Sequence, residues 1–504
     1  MNVLVMDVGT SSIRGILIDQ SGKMLFSHQI GYQVRFFDEI YAEQNASDWS
    51  SAIVEIAKKT TEYCGVHGLT VDALSLTSQR SSIIPMDVDG HALRPAIMWQ
   101  DKRNSEIAAE FANMVPFVHN LTGARINTVF SGTKMTWFRR NEAELYQRTN
   151  KICTIADFIV HEITGEYRTD QTYGARSLLM NIRTGQWDED LLKLFEVEEE
   201  KLCELVEPGG VIGYVTEAFA KTTGLTHGIP MVSGGGDQQC GALGQGLFES
   251  GSASITTGTG AFMLACCDCV PEDLTNNIIC GAHSVPGKYV LESSMLACAA
   301  LYNWAKRELF ADGVRAEEPF ARINAAVEQS PAGANGCIAL PYFQGRGTPD
   351  WNSNAMGAFV DLSLGTTRQD MARAVLEGIA VEAKNNLDIV EGYAGVFDKL
   401  YIGGGLTKFS AFNQMQADIY QKELYRDLTS SEQTAYGAWL SAMVALSVYP
   451  NYQTAFEVCK RERQYAIYRP NRSRKELYQA KQTRFNEAYT RLYVENGTYK
   501  GDQL

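Results

Sequence analysis

One strand-turn-strand pattern occurs twice in the chain, and it limits the possible folds more than any other feature. The first copy, residues 3–19, has an apolar run, the turn Gly9-Thr10-Ser11 and a returning strand. The second copy, residues 252–264, repeats this plan around Gly258-Thr259-Gly260, about half the chain's length further on. Such a repeat indicates an internal duplication and predicts two related domains that face each other across a cleft.

Both turns combine glycine with hydroxyl side chains. Backbone N–H groups and hydroxyls in such a turn can donate hydrogen bonds to phosphate oxygens, and Arg14 adds positive charge beside the first turn. The first turn lacks the GxxxxGK[ST] spacing of a P-loop and the GxGxxG spacing of a dinucleotide-binding fold. We therefore expect two phosphate-binding hairpins of a different kind.

The length of the chain supports more than one domain. A hydrophobic core seldom extends over as many as 504 residues, so two large domains are expected, at residues 1–245 and 246–504, with three domains as the alternative. A hydrophobic content of 45% with 21% charged residues is typical of a globular protein.

Charge and hydropathy argue against several classes of function. No apolar run approaches the roughly 18–20 residues of a membrane span, and the amino terminus lacks the basic start of a secretory signal, so a cytoplasmic protein is expected. The net charge of −14 argues against nucleic acid or an anionic membrane as a partner. The basic stretch 469–484 is interpreted as an amphipathic terminal helix, with a polyanion site as the alternative. A homodimer is left open.

Eleven cysteines are scattered along the chain. Without a secretion signal they are expected to be reduced thiols rather than a disulfide framework. Cys266, Cys267, Cys269 and Cys280 lie close together in the sequence, but adjacent residues of a strand point to opposite faces and no paired CxxC spacing is present. Zinc is therefore the weaker alternative.

Asp237, which directly follows three glycines, is the candidate catalytic base. Glycine has no Cβ and accepts unusual dihedral angles, so other groups can approach a carboxylate presented by such a backbone. The alternative is a simple turn in which Asp237 caps a helix at 238–246.

Two further segments carry side chains that suit a polyol. A strand at 71–77 leads into Gln79 and Arg80, and Trp99 begins a second polar run that ends at Arg103. Amide and guanidinium groups can bond sugar hydroxyls while carbons stack on an indole ring. A surface loop with ordinary ion pairs is the alternative.

Residues 400–419 read as a strand, the turn Gly403-Gly404-Gly405 and a helix from Ser410. A glycine turn at a helix amino terminus could hold the nucleoside end of a nucleotide. Tight packing of the helix on the strand explains the glycines equally well.

Apolar spacing predicts several other elements. Helices are expected from Asn45 or Ser47 to near Gly65, and at 129–140, 155–164 and 186–203; short strands are expected at 83–87 and 231–236.

Taken together, the motifs resemble the FGGY carbohydrate kinases, the group that includes glycerol kinase and the pentulose kinases. The resemblance rests on DVGTSSIR at 7–14, TSQR at 77–80, WQDKR at 99–103, SGTKMTW at 131–137, GGGDQ at 234–238, TGTGAF at 257–262, and GGG with NQMQADI at 403–419. It implies an α/β fold of two ribonuclease-H-like domains of the actin and hexokinase type, with ATP and Mg²⁺ held between them.

The resemblance also implies roles for single residues. Asp237 would take a proton from the substrate hydroxyl, and Asp7 would hold Mg²⁺. The remaining positions are a substrate wall of Gln79, Arg80, Trp99 and Gln238, phosphate turns at Thr10, Ser11, Arg14, Gly258 and Thr259, and nucleoside contacts at Asn303, Gly404 and Gly405.

These motifs imply an ATP-dependent kinase acting on a hydroxyl of a small polyol or ketose of three to five carbons. Compared with glycerol kinases, Ser81 replaces a glutamate and Val129 replaces an aromatic residue, which favours substrates longer than glycerol. A pentulose kinase such as xylulokinase, glycerol kinase itself, a phosphohydrolase and a non-catalytic sugar or nucleotide sensor are the alternatives. The identity of the substrate does not follow from the motifs.

Overall fold

The structure, a computed structural model, describes residues 1–274, 278–310, 320–397, 399–429, 432–461 and 463–495. Its strands are β1 (Asn2–Val8), β2 (Ser12–Asp19), β3 (Met24–Gly31), β4 (Arg35–Phe37), β5 (Tyr41–Gln44), β6 (Ala73–Ser78), β7 (Ile84–Met86), β8 (Ala96–Ile97), β9 (Lys151–Cys153), β10 (Arg168–Asp170), β11 (Met180–Asn181), β12 (Gln186–Trp187), β13 (Glu204–Val206), β14 (Val211–Tyr214), β15 (Pro230–Gly236), β16 (Ser252–Thr257), β17 (Ala261–Cys267), β18 (Ile279–Ala282), β19 (Tyr289–Met295), β20 (Ile338–Leu340), β21 (Ala358–Val360), β22 (Lys399–Gly403), β23 (Leu424–Asp427) and β24 (Tyr465–Tyr468).

The helices alternate with these strands, as expected for an α/β protein. They are α1 (Ala46–His67), α2 (Ser105–Glu110), α3 (Val115–Thr122), α4 (Ser131–Asn141), α5 (Ala143–Arg148), α6 (Ile155–Thr164), α7 (Gln171–Gly174), α8 (Glu189–Leu194), α9 (Glu217–Thr223), α10 (Asp237–Gln245), α11 (Ala299–Phe310), α12 (Ala321–Gln329), α13 (Arg368–Ala394), α14 (Ser410–Tyr420), α15 (Gln433–Ala445), α16 (Tyr452–Lys460) and α17 (Lys475–Thr490). Short 3₁₀ turns lie at Ala112–Met114, Glu199–Lys201, Ala334–Gly336, Gly405–Lys408 and Arg472–Arg474, and a π turn at Arg491–Glu495.

The chain divides into two compact units. The first comprises Met1–Phe248, Cys267–Val290 and Ser430–Arg463, and the second comprises the segments Glu249–Cys266, Leu291–Thr429 and Gln464–Leu504. Among the described residues, none of the helices combines the length and apolarity needed to cross a bilayer. All eleven cysteines lie in the described ranges, and all are free thiols.

The sheet of the first unit has the order β14-β15-β6-β1-β2-β3. Alternate side chains of β1 point to opposite faces, and both faces are covered. Leu4 and Met6 share a core with Trp49 of α1, whereas Val3 and Val5 share another with Trp439 of α15. The apolar run that begins the chain is thus a strand buried on both sides.

The second unit repeats the topology around β16. Strands β16 and β17 form an antiparallel hairpin, and β16 pairs in parallel with β22, just as β1 pairs with β2 and β6. Strands β23 and β24 then continue the sheet. The duplicated strand-turn-strand plan predicted from the sequence is therefore confirmed.

Helix α1 ends at His67, where Gly68 with φ of 66° caps it, so the predicted end near Gly65 is confirmed to within two residues. Two other predicted helices need correction. The predicted helix at 186–203 is only the six-residue α8 and a 3₁₀ turn, because Asp188 before α8 and Glu198 before the 3₁₀ turn are extended and Glu196 between them has φ of 57°.

Helix α4 begins at Ser131 rather than at residue 129. The Asn127 side chain accepts hydrogen bonds from the N–H groups of Val129 and Phe130, at 2.8 and 3.2 Å. The buried Lys134 ammonium donates to the carbonyls of Thr128 and Val129, both at 2.5 Å. Side chains that bond the backbone in this way compete with a helical turn, so the helix starts later.

Helices α10 and α15 of the first unit touch where glycines remove the side chains. A Cβ on Gly437 would lie 1.9 Å from the carbonyl oxygen of Cys240, and a Cβ on Gly244 would lie 1.9 Å from that of Gln433. Gly241 differs, since the nearest atom to its Cβ position is Thr434 Oγ1 at 3.6 Å.

We expect Gly437→Ala to destabilise the protein by roughly 1–3 kcal/mol, because the added methyl must displace backbone of α10. Gly241→Ala, the matched control, should be neutral or stabilise by up to about 1 kcal/mol, because alanine is the better helix former. Thermal unfolding of the two variants beside the wild type measures the difference, and equal losses in both would contradict the packing argument.

Candidate active site

Three parallel strands of the first unit end at one edge of the sheet. Strand β1 ends after Asp7, β6 ends at Ser78 and continues into Gln79 and Arg80, and β15 ends at Gly236 next to Asp237. In the parallel registers, Ser78 is the partner of Val8 on one side and of Gly236 on the other. Residues predicted from separate sequence motifs are therefore neighbours.

Asp237 is the first residue of α10, and Gly236 occupies the capping position before it. Its Oδ1 accepts the Gln238 N–H at 2.8 Å and lies 3.3 Å from Arg80 Nε. The residue at the capping position is therefore Gly236, and the alternative interpretation, in which Asp237 caps the helix, is wrong. Gln238 is exposed, while the next residue, Gln239, is buried.

Each of the three glycines before Asp237 lies where a larger residue would be strained or would clash with a neighbour. Gly235 has φ of 99°, where L side chains are strained. A Cβ on Gly234 would lie 2.8 Å from Leu76 O, and one on Gly236 would lie 2.5 Å from Arg80 Cδ. Larger residues would push Arg80 and β6 away from Asp237.

Asp7 lies in a negatively charged environment. Burial, the largest cause, and the charge of Asp237 together raise the pKa of its carboxyl from the ordinary 3.8 to about 7. Arg14 lowers the pKa and Glu432 raises it, and these two side chains form an ion pair with each other. The charge of Arg14 thus offsets only part of the surrounding negative charge.

The first hairpin turn is tied to the two polar segments predicted from sequence. Gly9 closes the turn by donating to Ser12 O at 2.9 Å, and Gln79 Nε2 donates to Gly9 O at 3.1 Å. The indole N–H of Trp99 donates to Thr10 Oγ1 at 3.0 Å. Ser11 lies exposed in the same turn.

Two residues of the run that follows Trp99 do form ordinary ion pairs. The buried Arg103 donates to Asp101 Oδ1 at 2.8 Å and to Glu43 Oε1 at 2.8 Å. Its guanidinium also stacks on Tyr41 and Trp137, at 4.4 and 4.9 Å from the ring centroids. The ion pairs of the alternative interpretation are therefore present at Asp101 and Arg103, but they are buried and not in a surface loop, while Trp99 reaches the first hairpin turn.

In the second unit, the other hairpin turn packs against the start of a helix. The N–H groups of Cys298 and Ala299, at the beginning of α11, donate to Thr259 O and Gly258 O at 2.8 and 2.9 Å. Asn303 lies exposed one turn further along α11.

The glycine turn after β22 lies beside this hairpin. A Cβ on Gly404, whose φ is 92°, would lie 2.4 Å from Thr257 O, so close packing explains this glycine. No described atom lies within 4 Å of the Cβ position of Gly405. The second unit thus brings Gly258, Thr259 and Gly404 together at the ends of two parallel strands.

Sequence reasoning assigned no role to three polar residues near the end of β15 and the start of α10, namely Arg176, Gln239 and Ser284. Gln239 Nε2 and Arg176 Nη2 lie 3.9 and 4.0 Å from the same point, the Cβ position of Gly281. Ser284 Oγ lies 2.5 Å from the Cβ position of Gly235. The second glutamine of the DQQ run was the only local signal, since the other residues come from distant segments.

Comparison with known proteins identifies the family. Residues 2–244 match the N-terminal domain, and residues 253–446 match the C-terminal domain, of the FGGY family of carbohydrate kinases. The chain belongs to this family. The FGGY resemblance, the α/β fold of two ribonuclease-H-like domains and the kinase activity predicted from the motifs are confirmed, and ATP is the phosphate donor of FGGY kinases.

Relatives of this FGGY kinase differ in the substrates for which they are named. It is 27% identical to a xylulose kinase from Staphylococcus xylosus, over 88% of this chain and 90% of that protein. It is 28% identical to a glycerol kinase from Thermococcus kodakarensis, over 94% and 95%. The solved structure of Plasmodium falciparum glycerol kinase with ADP superposes with a TM-score of 0.88 at 25% identity, covering 98% of each chain.

The raised pKa of Asp7 predicts a pH-dependent stability of this FGGY kinase. Between pH 3.8 and about 7, the folded protein holds a proton that the unfolded chain has released, so stability falls as pH rises through this window. Asp7→Asn removes the charge. We expect this variant to exceed the wild type in melting temperature at pH 8, with a smaller difference at pH 5, in metal-free buffer.

Asp89→Asn, at an exposed loop aspartate, is the control and should show no such gain. A change in melting temperature for Asp7→Asn that is the same at pH 5 and pH 8 would contradict the raised pKa of Asp7.

Proposed function

We propose that this FGGY kinase transfers the γ-phosphoryl group of ATP to a hydroxyl, preferably a primary one, of a polyol or ketose of three to five carbons, with Asp237 as the base. One observation carries the proposal. A glycine-rich strand end presents Asp237 beside Arg80, at the sheet edge where β1 brings Asp7 and the first hairpin turn.

Asp237 has the geometry of a general base. Arg80 Nε lies 3.3 Å from Oδ1 and the Gln238 N–H donates to the same oxygen, and both contacts orient the carboxylate. Its side chain is 31% exposed, which leaves it accessible to a substrate. A carboxylate so held can accept the proton of an attacking hydroxyl as the phosphoryl group is transferred.

The residues around Asp7 fit a magnesium ion. Burial and the charges of Asp237 and Glu432 raise the pKa of Asp7, and Arg14 offsets only part of this effect, so a divalent cation would find a carboxylate-rich position. Asp7 would hold Mg²⁺, directly or through water. When bound, the ion supplies positive charge against the phosphate oxygens.

ATP contacts are proposed on both predicted domains, residues 1–245 and 246–504. Thr10, Ser11 and Arg14 would meet the phosphates from the first turn, as would Gly258 and Thr259 from the second. Asn303, Gly404 and Gly405 would meet the nucleoside. The open position of Gly405 and the solvent exposure of Asn303 support the last assignment.

Gln79, Arg80, Trp99 and Gln238 are proposed as the substrate wall. Ser78 Oγ, Arg80 Nη1 and Gln239 Oε1 are buried and have no hydrogen-bond partner among the described residues. Buried polar atoms of native proteins are nearly always hydrogen-bonded, so these three have capacity for the hydroxyls of a ligand. Their position at this strand edge favours a polyol.

The cytoplasm is the proposed compartment. Eleven free thiols, ten of them buried, suit a reducing environment.

A coupled ADP-release assay on the purified protein, with three- to six-carbon polyols and ketoses, tests the function. We expect at least one sugar or polyol to stimulate ADP release strongly over the rate with ATP alone. An ATPase rate that no polyol or ketose changes would instead support a phosphohydrolase.

Asp237→Asn should lower kcat by roughly 10²-fold or more, because the amide cannot accept the hydroxyl proton. ATP affinity, measured by calorimetry, should persist. Asp89→Asn, the same change at an exposed loop position, should leave kcat at the wild-type value. Near-normal turnover in Asp237→Asn would remove Asp237 from the role of base.

Ser81 and Val129 predict a preference for four- or five-carbon substrates over glycerol. Both are smaller than the residues of glycerol kinases at these positions, and a larger pocket admits a longer chain. We expect kcat/KM for glycerol to fall below that for the best of erythritol, xylitol, arabitol, ribulose and xylulose. Val129→Tyr should narrow the gap, whereas the volume-conserving Val129→Thr should not; a wild type that prefers glycerol would contradict the argument.

A further inference from the structure

Sheet pairing alone does not fix the backbone conformation at the end of β15, the strand that leads into Asp237. The parallel register of β15 and β6 shifts between Ser233 and Gly235, and Gly235 adopts φ of 99°. A bulge of this kind takes backbone N–H and C=O groups out of the ladder, and buried backbone groups need partners elsewhere.

A short segment some sixty residues upstream supplies these partners. The Gly236 N–H donates to Thr172 Oγ1 at 2.8 Å, and the Tyr173 hydroxyl donates to Gly235 O at 3.0 Å. The Ser233 hydroxyl donates to Asp170 Oδ2. We name Asp170, Thr172 and Tyr173 the bulge clamp.

The hydrogen bonds of the clamp have a fixed direction. Thr172 Oγ1 donates its only proton to Asp170 Oδ1 at 2.5 Å, so its lone pairs face the Gly236 N–H. The Thr172 N–H donates to the same Asp170 oxygen at 2.7 Å, which holds the Thr172 backbone as well. Asp170 thereby orients Thr172, and Thr172 orients Gly236.

The clamp is also dry. Asp170 and Thr172 are 0% exposed and Tyr173 is 3% exposed. Hydrogen bonds in such an interior are strong, and breaking one leaves a buried group unpaired. The last glycine that the clamp holds is the residue directly before Asp237.

We propose that Asp170, Thr172 and Tyr173 are positioning residues for phosphoryl transfer, which set the direction in which Asp237 leaves the strand. The inference rests on the proposed role of Asp237 as the base. Displacing a catalytic base by about 1 Å lowers the rate of the chemical step on the order of 10²-fold. A substitution in the bulge clamp would therefore slow phosphoryl transfer although no clamp residue touches the reacting hydroxyl.

Thr172→Val tests the proposal, because valine keeps the shape of threonine and removes the hydroxyl. We expect kcat to fall by roughly 10- to 100-fold while KM for ATP stays within about twofold, since none of the clamp contacts described above involves the hairpin turns. Thr172→Ser, which restores the hydroxyl, should recover kcat to within about threefold of the wild type.

Thr60→Val is the matched control. Thr60 is also 0% exposed in the first unit, and its hydroxyl donates to Ile56 O at 2.8 Å within α1. Thr60→Val removes a buried hydroxyl, as Thr172→Val does, but should keep the wild-type kcat. A fall in kcat for Thr60→Val as large as that for Thr172→Val would overturn the proposal, because it would reflect general destabilisation.

A double-mutant cycle with Asp237→Asn separates positioning from other roles. If the clamp acts through Asp237, adding Thr172→Val to Asp237→Asn should cost less than about twofold. Losses that multiply would overturn the proposal, as would a Thr172→Val defect confined to KM for ATP. If Thr172→Val does not fold, Tyr173→Phe decides: kcat should fall about three- to tenfold, and a wild-type value would falsify the clamp.

The wild-type rate in the same assay distinguishes the two levels of inference. A wild type inactive on every polyol and ketose refutes the proposed function. An active wild type with an equally active Thr172→Val refutes the bulge clamp alone.

Discussion

The parallel pairing of β1, β6 and β15 is the constraint on which the candidate active site around Asp237 depends. Parallel strands end on the same side of a sheet, so the residues that follow them become neighbours however far apart they lie in the sequence. Val8, Ser78 and Gly236 are partners in this register, and Asp7, Arg80 and Asp237 lie next to them. The sheet keeps this arrangement because α1 and α15 bury both of its faces.

Charge is distributed unevenly at that edge. Arg80 lies beside Asp237 and Arg14 is paired with Glu432, while burial and the charge of Asp237 raise the pKa of the partly buried Asp7. Carboxylates held close together without full compensation favour a cation, and phosphoryl transfer requires one to offset the charge of the phosphates. This charge distribution supports the proposed magnesium site at Asp7.

Close backbone approach is the second recurring device. At Gly437 and Gly244 it lets two helices touch, and at Gly234 and Gly236 it brings β6 and Arg80 against the strand that carries Asp237. Glycine loses more conformational entropy on folding than other residues do, so glycine at these positions destabilises the fold unless the contacts compensate. Next to Asp237 the compensation includes two hydrogen bonds, since the Gly236 N–H donates to Thr172 Oγ1 and the Tyr173 hydroxyl donates to Gly235 O.

Local sequence patterns were enough for the elements and motifs that are continuous in the chain. The apolar run of β1, the two glycine-hydroxyl turns, β15 before Asp237 and the helix at 155–164 all carry their signal within a few residues, because periodicity and turn chemistry are local. The same signals were weaker at helix ends. The start of α4 depends on Asn127 and Lys134, whose bonds to the backbone no periodic pattern expresses.

The sequence by itself determined the duplicated α/β plan, the family and the set of polar residues that include Asp7, Arg80 and Asp237. Only the tertiary structure decided that Asp101 and Arg103 pair with each other while Trp99 reaches Thr10. It also decided that α15, almost two hundred residues after α10, packs against it, and that Thr172 holds Gly236. The physical reason is that such contacts join residues distant in the chain, so they leave no local pattern and exist only once the sheet has brought its strand ends together.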